Sequence, residues 1–411
     1  MLKKSDNDLV VGLDIGTTKI VALVGEVNDE GKIEVIGIGK HPSKGLKRGV
    51  VVNIDATVNS IRRALEEAEL MAGCEIKSAF TGIAGNHIRS LNSHGIVAVR
   101  DSEVTQADVD RVIDAAKAVA IPADQRILHI LPQEFMIDSQ EDIREPIGMS
   151  GVRLEARVHI VTGAVSAAQN IAKCVQACGI QVGDIVLEQL ASSHSVLTED
   201  EKELGVCMID IGGGTTDIAV FTNGSIRHTA VIPIAGDQVT NDVAVALRTP
   251  TKFAEEIKVK EGCALPNSLS RGEMIDVPTV ASREPRQLSR VSLAEVIGPR
   301  YEELFMLIRS ELRRNGLENL VPAGIVLTGG ASQVEGAVEL AEQVFDIPVR
   351  RGLPQHIAGL KDVRETPIYA TGVGLLLHGL HQRGNPVATL DVSGGVKSIL
   401  TRMKDWFHGN F

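Results

Sequence analysis

The sequence predicts an α/β chain of two similar lobes closing on a polyphosphate, and three short segments carry that prediction. The first is Asp14-Ile15-Gly16-Thr17-Thr18-Lys19, the second Asp210-Ile211-Gly212-Gly213-Gly214-Thr215-Thr216-Asp217, and the third Leu327-Thr328-Gly329-Gly330-Ala331. The first two each start as an apolar strand, put an Asp at its end, and turn through Gly and Thr into a second β-rich stretch. In such a hairpin the backbone N–H groups and hydroxyls face a polyphosphate, and glycine permits the close approach. Asp14 and Asp210 suit a Mg²⁺ held through water, since hard cations prefer oxygen. In the third segment a strand ends in a Gly pair, so that a flat base or an α-phosphate can lie on bare backbone. Any one of these could be an ordinary tight turn. Repetition of Asp-Ile-Gly and Thr-Thr in one chain argues for duplicated halves instead.

Taken in order, the segments 10–27 and 32–40 read as paired strands joined by a turn at Asn28 and Gly31. A helix is expected over 55–71, with Val58, Ile61, Ala64, Leu65, Ala68 and Met71 on one face. A strand follows over 78–85. The character then changes: Thr105 caps a helix running through Ala120, with Asp108 three residues on, and β-rich stretches cover 126–138 and 152–161. A helix at 166–179 and a strand at 184–188 come next. After the second phosphate turn, 232–300 reads as a loop-rich insertion with a helix ending at Leu247. Helices follow at 301–315 and 333–344, and 365–380 leads the chain back to the first half. Outside the phosphate turns there is no sequence repeat.

Composition bounds the class. At 411 residues the chain is too long for one core and fits two large domains or four subdomains. Aromatics make up only 3%, so the core must be aliphatic. A net charge of −11, with no basic cluster interleaved with aromatics, argues against nucleic acid as a partner. Cys174 and Cys178 share a helix face but lack the second pair that a zinc site needs, which leaves reduced thiols in a cytoplasmic protein. Residues 1–8 do not resemble a signal peptide, and the apolar run 372–380 is too short to span a bilayer.

Gly16, Thr17 and Thr18 would hold the β- and γ-phosphates from one side, with Lys19 either neutralising charge or solvated after the turn. Gly212, Gly213, Gly214, Thr215 and Thr216 would hold them from the other. Gly236, Gly329, Gly330 and Ala331 would line the nucleoside end. Glu255 and Lys258 share a helix face, either to reach ribose and base or as a plain ion pair. Hydrolysis needs a polar side chain to orient water. Glu188, at a strand end, is the candidate, with Gln189 its neighbour and alternative. No arginine offers itself for the transition state, so any ATPase activity should be slow.

The end of the chain stands apart. A Gly-rich linker (381–395) leads to a segment in which Val396, Ile399, Leu400, Met403, Trp406 and Phe407 form one helical stripe, with Lys397, Arg402 and Lys404 off it. A basic, aromatic, amphipathic helix after a loose linker suits the plane of an anionic membrane. The alternative is a helix docked on its own domain. So short a helix binds lipid marginally, and many on one polymer bind firmly.

These turns resemble those of the superfamily of actin, the heat-shock chaperones and the sugar kinases. Together with Ser150-Gly-Val-Arg-Leu-Glu-Ala, Leu190-Ala-Ser-Ser-His-Ser-Val-Leu-Thr-Glu-Asp, Leu293-Ala-Glu-Val-Ile and the amphipathic end, they are similar to the bacterial cell division family FtsA along the whole chain. The resemblance implies an actin-like ATPase fold: two duplicated ribonuclease-H-like domains, an FtsA-type 1C subdomain and a C-terminal amphipathic helix. Its subdomains would be 1A (1–85, 163–197, with a return at 363–380), 1C (86–162), 2A (198–230, 305–362) and 2B (231–304), then the linker 381–395 and helix 396–411. It further implies ATP and Mg²⁺ as cofactors, nucleoside contacts by Glu255 and Lys258, and a water-positioning Glu188. Its partners would be further copies of itself in filaments, anionic lipids, and downstream division proteins reached through 1C. The C-terminal peptide of FtsZ would dock on 2B near Arg286, Arg290 and Arg300, which could otherwise be a solvated basic loop. The site of action would be the cytoplasmic face of the inner membrane at the division septum. A metabolic kinase of the same fold would not need the tail, and a pilus-assembly relative of FtsA would lack it.

Overall fold

The computed structural model describes residues 9–28, 30–270, 272–278 and 285–383. The expected linker from 384 onward and the membrane helix at 396–411 lie outside the described residues. Two sheets with one topology form the frame. In the first, Ile33–Pro42, Lys19–Val27 and Leu9–Ile15 run antiparallel, and Ser78–Ile83 and Gln181–Leu187 continue in parallel. In the second, Ser225–Ile232, Thr216–Thr222 and Val206–Ile211 run antiparallel, followed in parallel by Ile325–Thr328 and Val349–Arg351. The late strand Ile357–Gly359 joins the outer edge of the first sheet, beside Ile33–Pro42, and so brings the chain back to the first lobe.

Strands such as Leu9–Ile15 and Val206–Ile211 are apolar at almost every position because helices cover both faces of each sheet. On the first sheet, helix Ile54–Ala72 buries Val58, Ile61, Ala64, Leu65 and Ala68. The Asn53 side chain caps its start, and Gly73 ends it in the left-handed region (φ 66°). The first-lobe core is almost wholly aliphatic, in line with the composition, with Phe80 partly buried against it. The second lobe adds a small aromatic group, Tyr301, Phe305 and Phe345, with ring centroids 6.1 and 5.8 Å apart.

Between the two lobes in sequence, an antiparallel sheet of Arg89–Ala98, Arg153–Ala164, Gln125–Ile137 and Gln140–Ile143 is covered by helix Gln106–Ala116. The Thr105/Asp108 capping box forms as expected. The helix stops at Ala116 rather than Ala120, ahead of Pro122, which disfavours helical backbone at the residue before it. This sheet caps the open edge of the second-lobe sheet. Ser90 Oγ donates to Thr229 O (2.9 Å), Gln133 Nε2 to Ile226 O (2.8 Å), and His159 Nε2 lies 3.0 Å from Thr229 Oγ1. Edge carbonyls that could template aggregation are thereby satisfied.

Two expected helices differ. The helix expected at 301–315 is the end of a 25-residue helix, Arg290–Arg314, with Pro299 inside it. Leu293, Ala294, Ile297, Tyr301, Leu304, Phe305, Ile308 and Leu312 are buried along one stripe, and that burial outweighs the helix-breaking proline. The expected boundary at 304/305 falls within this helix. The stretch 333–344 begins with a 3₁₀ turn, Gly330–Gln333, and becomes helical only at Ala337–Phe345, after Gly336 takes φ 75°. The return helix starts at Ala370, because Pro367 interrupts the stretch before it.

Candidate functional site

The two phosphate turns face each other across a cleft of about 800 Å³. Each hairpin is closed by a residue pair, Ile15 with Ile20 and Ile211 with Thr216, leaving residues 16–19 and 212–215 at the tips. A Cβ on Gly213 would fall 2.8 Å from Thr18 Cβ and 1.7 Å from its Oγ1, and one on Gly214 would fall 2.9 Å from Thr17 Cβ. No side chain fits at either position while the lobes are closed. Thr18 Oγ1 donates to Asp237 Oδ1 (3.2 Å), and Thr17 Oγ1 accepts from the Gly49 amide (2.9 Å).

Acids gather behind the tips. Asp14 is buried and pairs with Lys19 Nζ at 3.1 Å. Asp210 Oδ2 accepts from Ser192 Oγ at 2.5 Å. Burial pushes the Asp210 carboxyl up, as does Asp14, while the hydroxyls and Lys19 oppose the shift. Asp217 is pushed up to about 8 by burial and by Asp210. Its Oδ2 accepts from Thr215 Oγ1 (3.0 Å), while its Oδ1 has no hydrogen-bond partner among the described residues. Glu188 opens onto the cleft, and its carboxyl is held well above the usual range by burial and by Asp14, Asp217 and Asp210, against Lys19. Four acids gathered behind the tips from both lobes, with an unpaired carboxyl oxygen on Asp217, fit a cation. Among the described residues no three acid, His or Cys side chains converge closely enough to ligate one directly. A cation here would therefore keep much of its own water.

At the other end, Lys258 Nζ lies 2.6 Å from Glu255 Oε2 and donates to Gly236 O (3.1 Å) and Thr240 Oγ1 (2.8 Å). Gly329 takes φ 84° and turns the strand Ile325–Thr328 into the cleft, with Gly330 and Ala331 beside it. Tyr301 donates its hydroxyl to Ala331 O (2.7 Å) and so fixes that turn from below.

Most residues singled out from sequence thus meet in one cleft: Asp14, Gly16, Thr17, Thr18, Lys19, Glu188, Asp210, Gly212, Gly213, Gly214, Thr215, Gly236, Glu255, Lys258, Gly329, Gly330 and Ala331 all line it. Thr216 does not; it is fully buried and its hydroxyl donates to Ile234 O (2.7 Å). Gln189 is buried away from the cleft, which leaves Glu188 as the side chain that faces it. Each of the three arginines is held by different partners. Arg286 donates to Leu247 O, Arg290 pairs with Glu273 at 2.8 Å and with Glu335 at the cleft rim, and Arg300 pairs with Asp242 at 2.6 Å and with Glu303. Sequence reasoning assigned no role to Asp217, Ser192, Thr371 or Asp237. For Asp217 the signal was there: in a strand, side chains alternate, so Asp217 faces the same side as Thr215.

Two twinned sheets with facing Gly- and Thr-rich hairpins define an actin-like ATPase fold. Solved structures agree: a PilM–PilN type IV pilus biogenesis complex is similar over 90% of this chain and 98% of its own, with TM-score 0.67 and 16% identity. MreB5 of Spiroplasma citri bound to ADP is similar over 92% and 98%, with TM-score 0.57 and 15% identity. Such low identity shows fold alone. Sequence comparison is more specific. The protein-family model for cell division protein FtsA matches residues 207–374, and that for the SHS2 domain inserted in FtsA matches 85–162. Cell division protein FtsA of Pseudomonas aeruginosa is 64% identical over the full length of both chains, and that of Escherichia coli K12 is 47% identical, again over both full lengths. This chain belongs to the FtsA family of cell division proteins.

Proposed function

We propose that the chain binds ATP with Mg²⁺ in this cleft and assembles into filaments on the cytoplasmic face of the inner membrane at the division septum. There it tethers FtsZ filaments through its C-terminal amphipathic helix and helps recruit later division proteins. The observation that carries the nucleotide part is the seating of Thr17 and Thr18 against Gly214 and Gly213, which leaves backbone N–H groups of both tips to take phosphate oxygens. Gly16, Lys19, Gly212 and Thr215 complete the cradle. Asp14 and Asp210 hold the metal's water, and Gly236, Glu255, Lys258, Gly329, Gly330 and Ala331 receive the nucleoside. Mg²⁺, when bound, neutralises phosphate charge. Glu188 orients water, and turnover is slow: Arg290, the one arginine lining the cleft among the described residues, is tied to Glu273 and Glu335.

Family membership supports the septal role, and the MreB5 neighbour bound to ADP supports a nucleotide in a cleft of this fold. No helix among the described residues is long and apolar enough to cross a membrane, so attachment through residues 396–411 is the proposed route. Docking of the FtsZ peptide at Arg286, Arg290 and Arg300 requires an incoming carboxylate to compete with Glu273, Glu335 and Asp242. The 1C role rests on residues 86–162. Calorimetry should find Mg²⁺-dependent ATP affinity, and its absence would end the nucleotide reading. In liposome flotation with ATP the full chain should float and a chain ending at Gly395 should not. Trp406→Glu should behave like the truncation, and equal flotation of all three would sink the tether.

A further inference from the structure

Ser192 and Thr371 have no part in the reading above, yet they hold one of its two metal-facing carboxylates. Ser192 Oγ donates to Asp210 Oδ2 at 2.5 Å, and Thr371 Oγ1 lies 3.3 Å from the same oxygen and 3.0 Å from Ser192 Oγ. All three side chains are buried. A hydroxyl has one proton to give. Ser192 gives its proton to Asp210, so Thr371 donates either to Asp210 or into Ser192, and both arrangements end on Oδ2. That leaves Oδ1 for the cleft. It lies over the bare Cα of Gly329, where a Cβ would come within 2.2 Å of it.

The hydroxyls and the carboxylate belong to different parts of the molecule. Asp210 ends strand Val206–Ile211 of the second sheet. Ser192 sits on helix Glu188–Val196, which starts where the first-sheet strand Gln181–Leu187 ends. Thr371 sits on the return helix Ala370–Arg383, which packs on the first-sheet strand Leu9–Ile15: a Cβ on Gly12 would meet Gly372 O at 2.6 Å. The two helices also lie hard against each other, since a Cβ on Gly374 would fall 1.7 Å from Ala191 O. A second-lobe carboxylate is therefore aimed by the helices that connect it to the first lobe.

We infer that Ser192 and Thr371 are positioning residues that fix Asp210 Oδ1 toward the water shell of a nucleotide-bound Mg²⁺, so that metal capture depends on how the two crossover helices seat against the second lobe. The inference rests on the proposed Mg²⁺–ATP reading of the cleft. Ser192→Ala and Thr371→Val each remove a hydroxyl with little change in volume, and Thr371→Ser restores one. ATP affinity of the full chain is measured by calorimetry in Mg²⁺ and again in EDTA, with a melting temperature for every variant. Ser192→Ala should lose about tenfold in affinity in Mg²⁺, as expected for one hydrogen bond to a charged group. Thr371→Val should lose less, Thr371→Ser should stay near native, and all should match the native chain in EDTA. A merely structural role would lower both affinities together with the melting temperature. That outcome, or an unchanged affinity in Mg²⁺, overturns the inference. Should Ser192→Ala not fold, the Thr371 pair decides alone. If the native chain binds ATP equally in Mg²⁺ and EDTA, the underlying reading fails and takes this one with it.

Discussion

The two hairpins share strand order, tip length and an Asp at the same place, yet their tips solve opposite problems. The first, Gly16-Thr17-Thr18-Lys19, carries hydroxyls and a cation, and its Asp14 is paired with Lys19 at 3.1 Å. The second, Gly212-Gly213-Gly214-Thr215, is bare over the two residues that meet Thr18 and Thr17, and its Asp210 is held by neutral hydroxyls. Had both copies kept threonines at these positions, the lobes could not close. Duplication supplies the frame, and the breaking of symmetry at two residues supplies the fit.

The largest effect should come from restoring that symmetry. In Gly213→Val the side chain would have to occupy the space of Thr18, forcing the tips apart by about 1 Å or more, and losing one or two hydrogen bonds to charged phosphate, about 1.5–3 kcal/mol each, costs on the order of a hundredfold in affinity. ATP affinity should fall by about that factor while the melting temperature without nucleotide changes little, because the tips contribute little to either core. Gly213→Ala together with Thr18→Gly should recover most of the loss. If Gly213→Val binds ATP like the native chain, the facing-tip arrangement is not how nucleotide is held.

What the sequence revealed follows the same division between local and distant. The hairpins, the Thr105 capping box and helix Ile54–Ala72 are written in adjacent residues, and each was legible. Thr216 was misjudged because the motif was read as a string, whereas strand alternation turns Thr216 inward and Thr215 and Asp217 toward the cleft. The Ser192–Thr371 contact spans 179 positions, and nothing local marks either residue. A helix is expected only from 301, and it is the buried stripe on both sides of Pro299 that carries it back to Arg290. The three arginines read as a peptide site or a solvated basic loop because sequence shows charge and hides the acids that fold against Arg290 and Arg300.

The next prediction concerns charge balance in the two hairpins. Asp217, behind the second tip, has its carboxyl raised from 3.8 to about 8 by burial and by Asp210. Between those values the folded chain keeps a proton that the unfolded chain has released. Stability without nucleotide should therefore fall as pH rises through this window and level off above it. Glu188, raised for the same reasons, adds a slope of the same sign. Asp217→Asn should flatten the decline without abolishing it and should melt about 1 °C above the native chain near pH 8.5, on the order expected for about 1 kcal/mol in a protein of this size. Melting curves from pH 5 to 9 check it, and an unchanged slope would mean that Asp217 does not carry the proton.

The smallest effect tests whether the hydroxyls of the first tip act on the second lobe at all. Thr18→Val keeps the shape that meets Gly213 and removes the hydrogen bond to Asp237 Oδ1, a 3.2 Å contact at an exposed edge of the cleft. One such bond contributes about 1 kcal/mol, so ATP affinity should drop by roughly fivefold. Thr17→Val removes instead the acceptor for the Gly49 amide, a contact made to the first lobe's own chain. If closure depends on side chains of the first tip reaching across, Thr18→Val should weaken binding more than Thr17→Val. The reverse order would mean that the first tip needs its hydroxyls to hold its own shape, and that the second lobe is gripped through backbone alone.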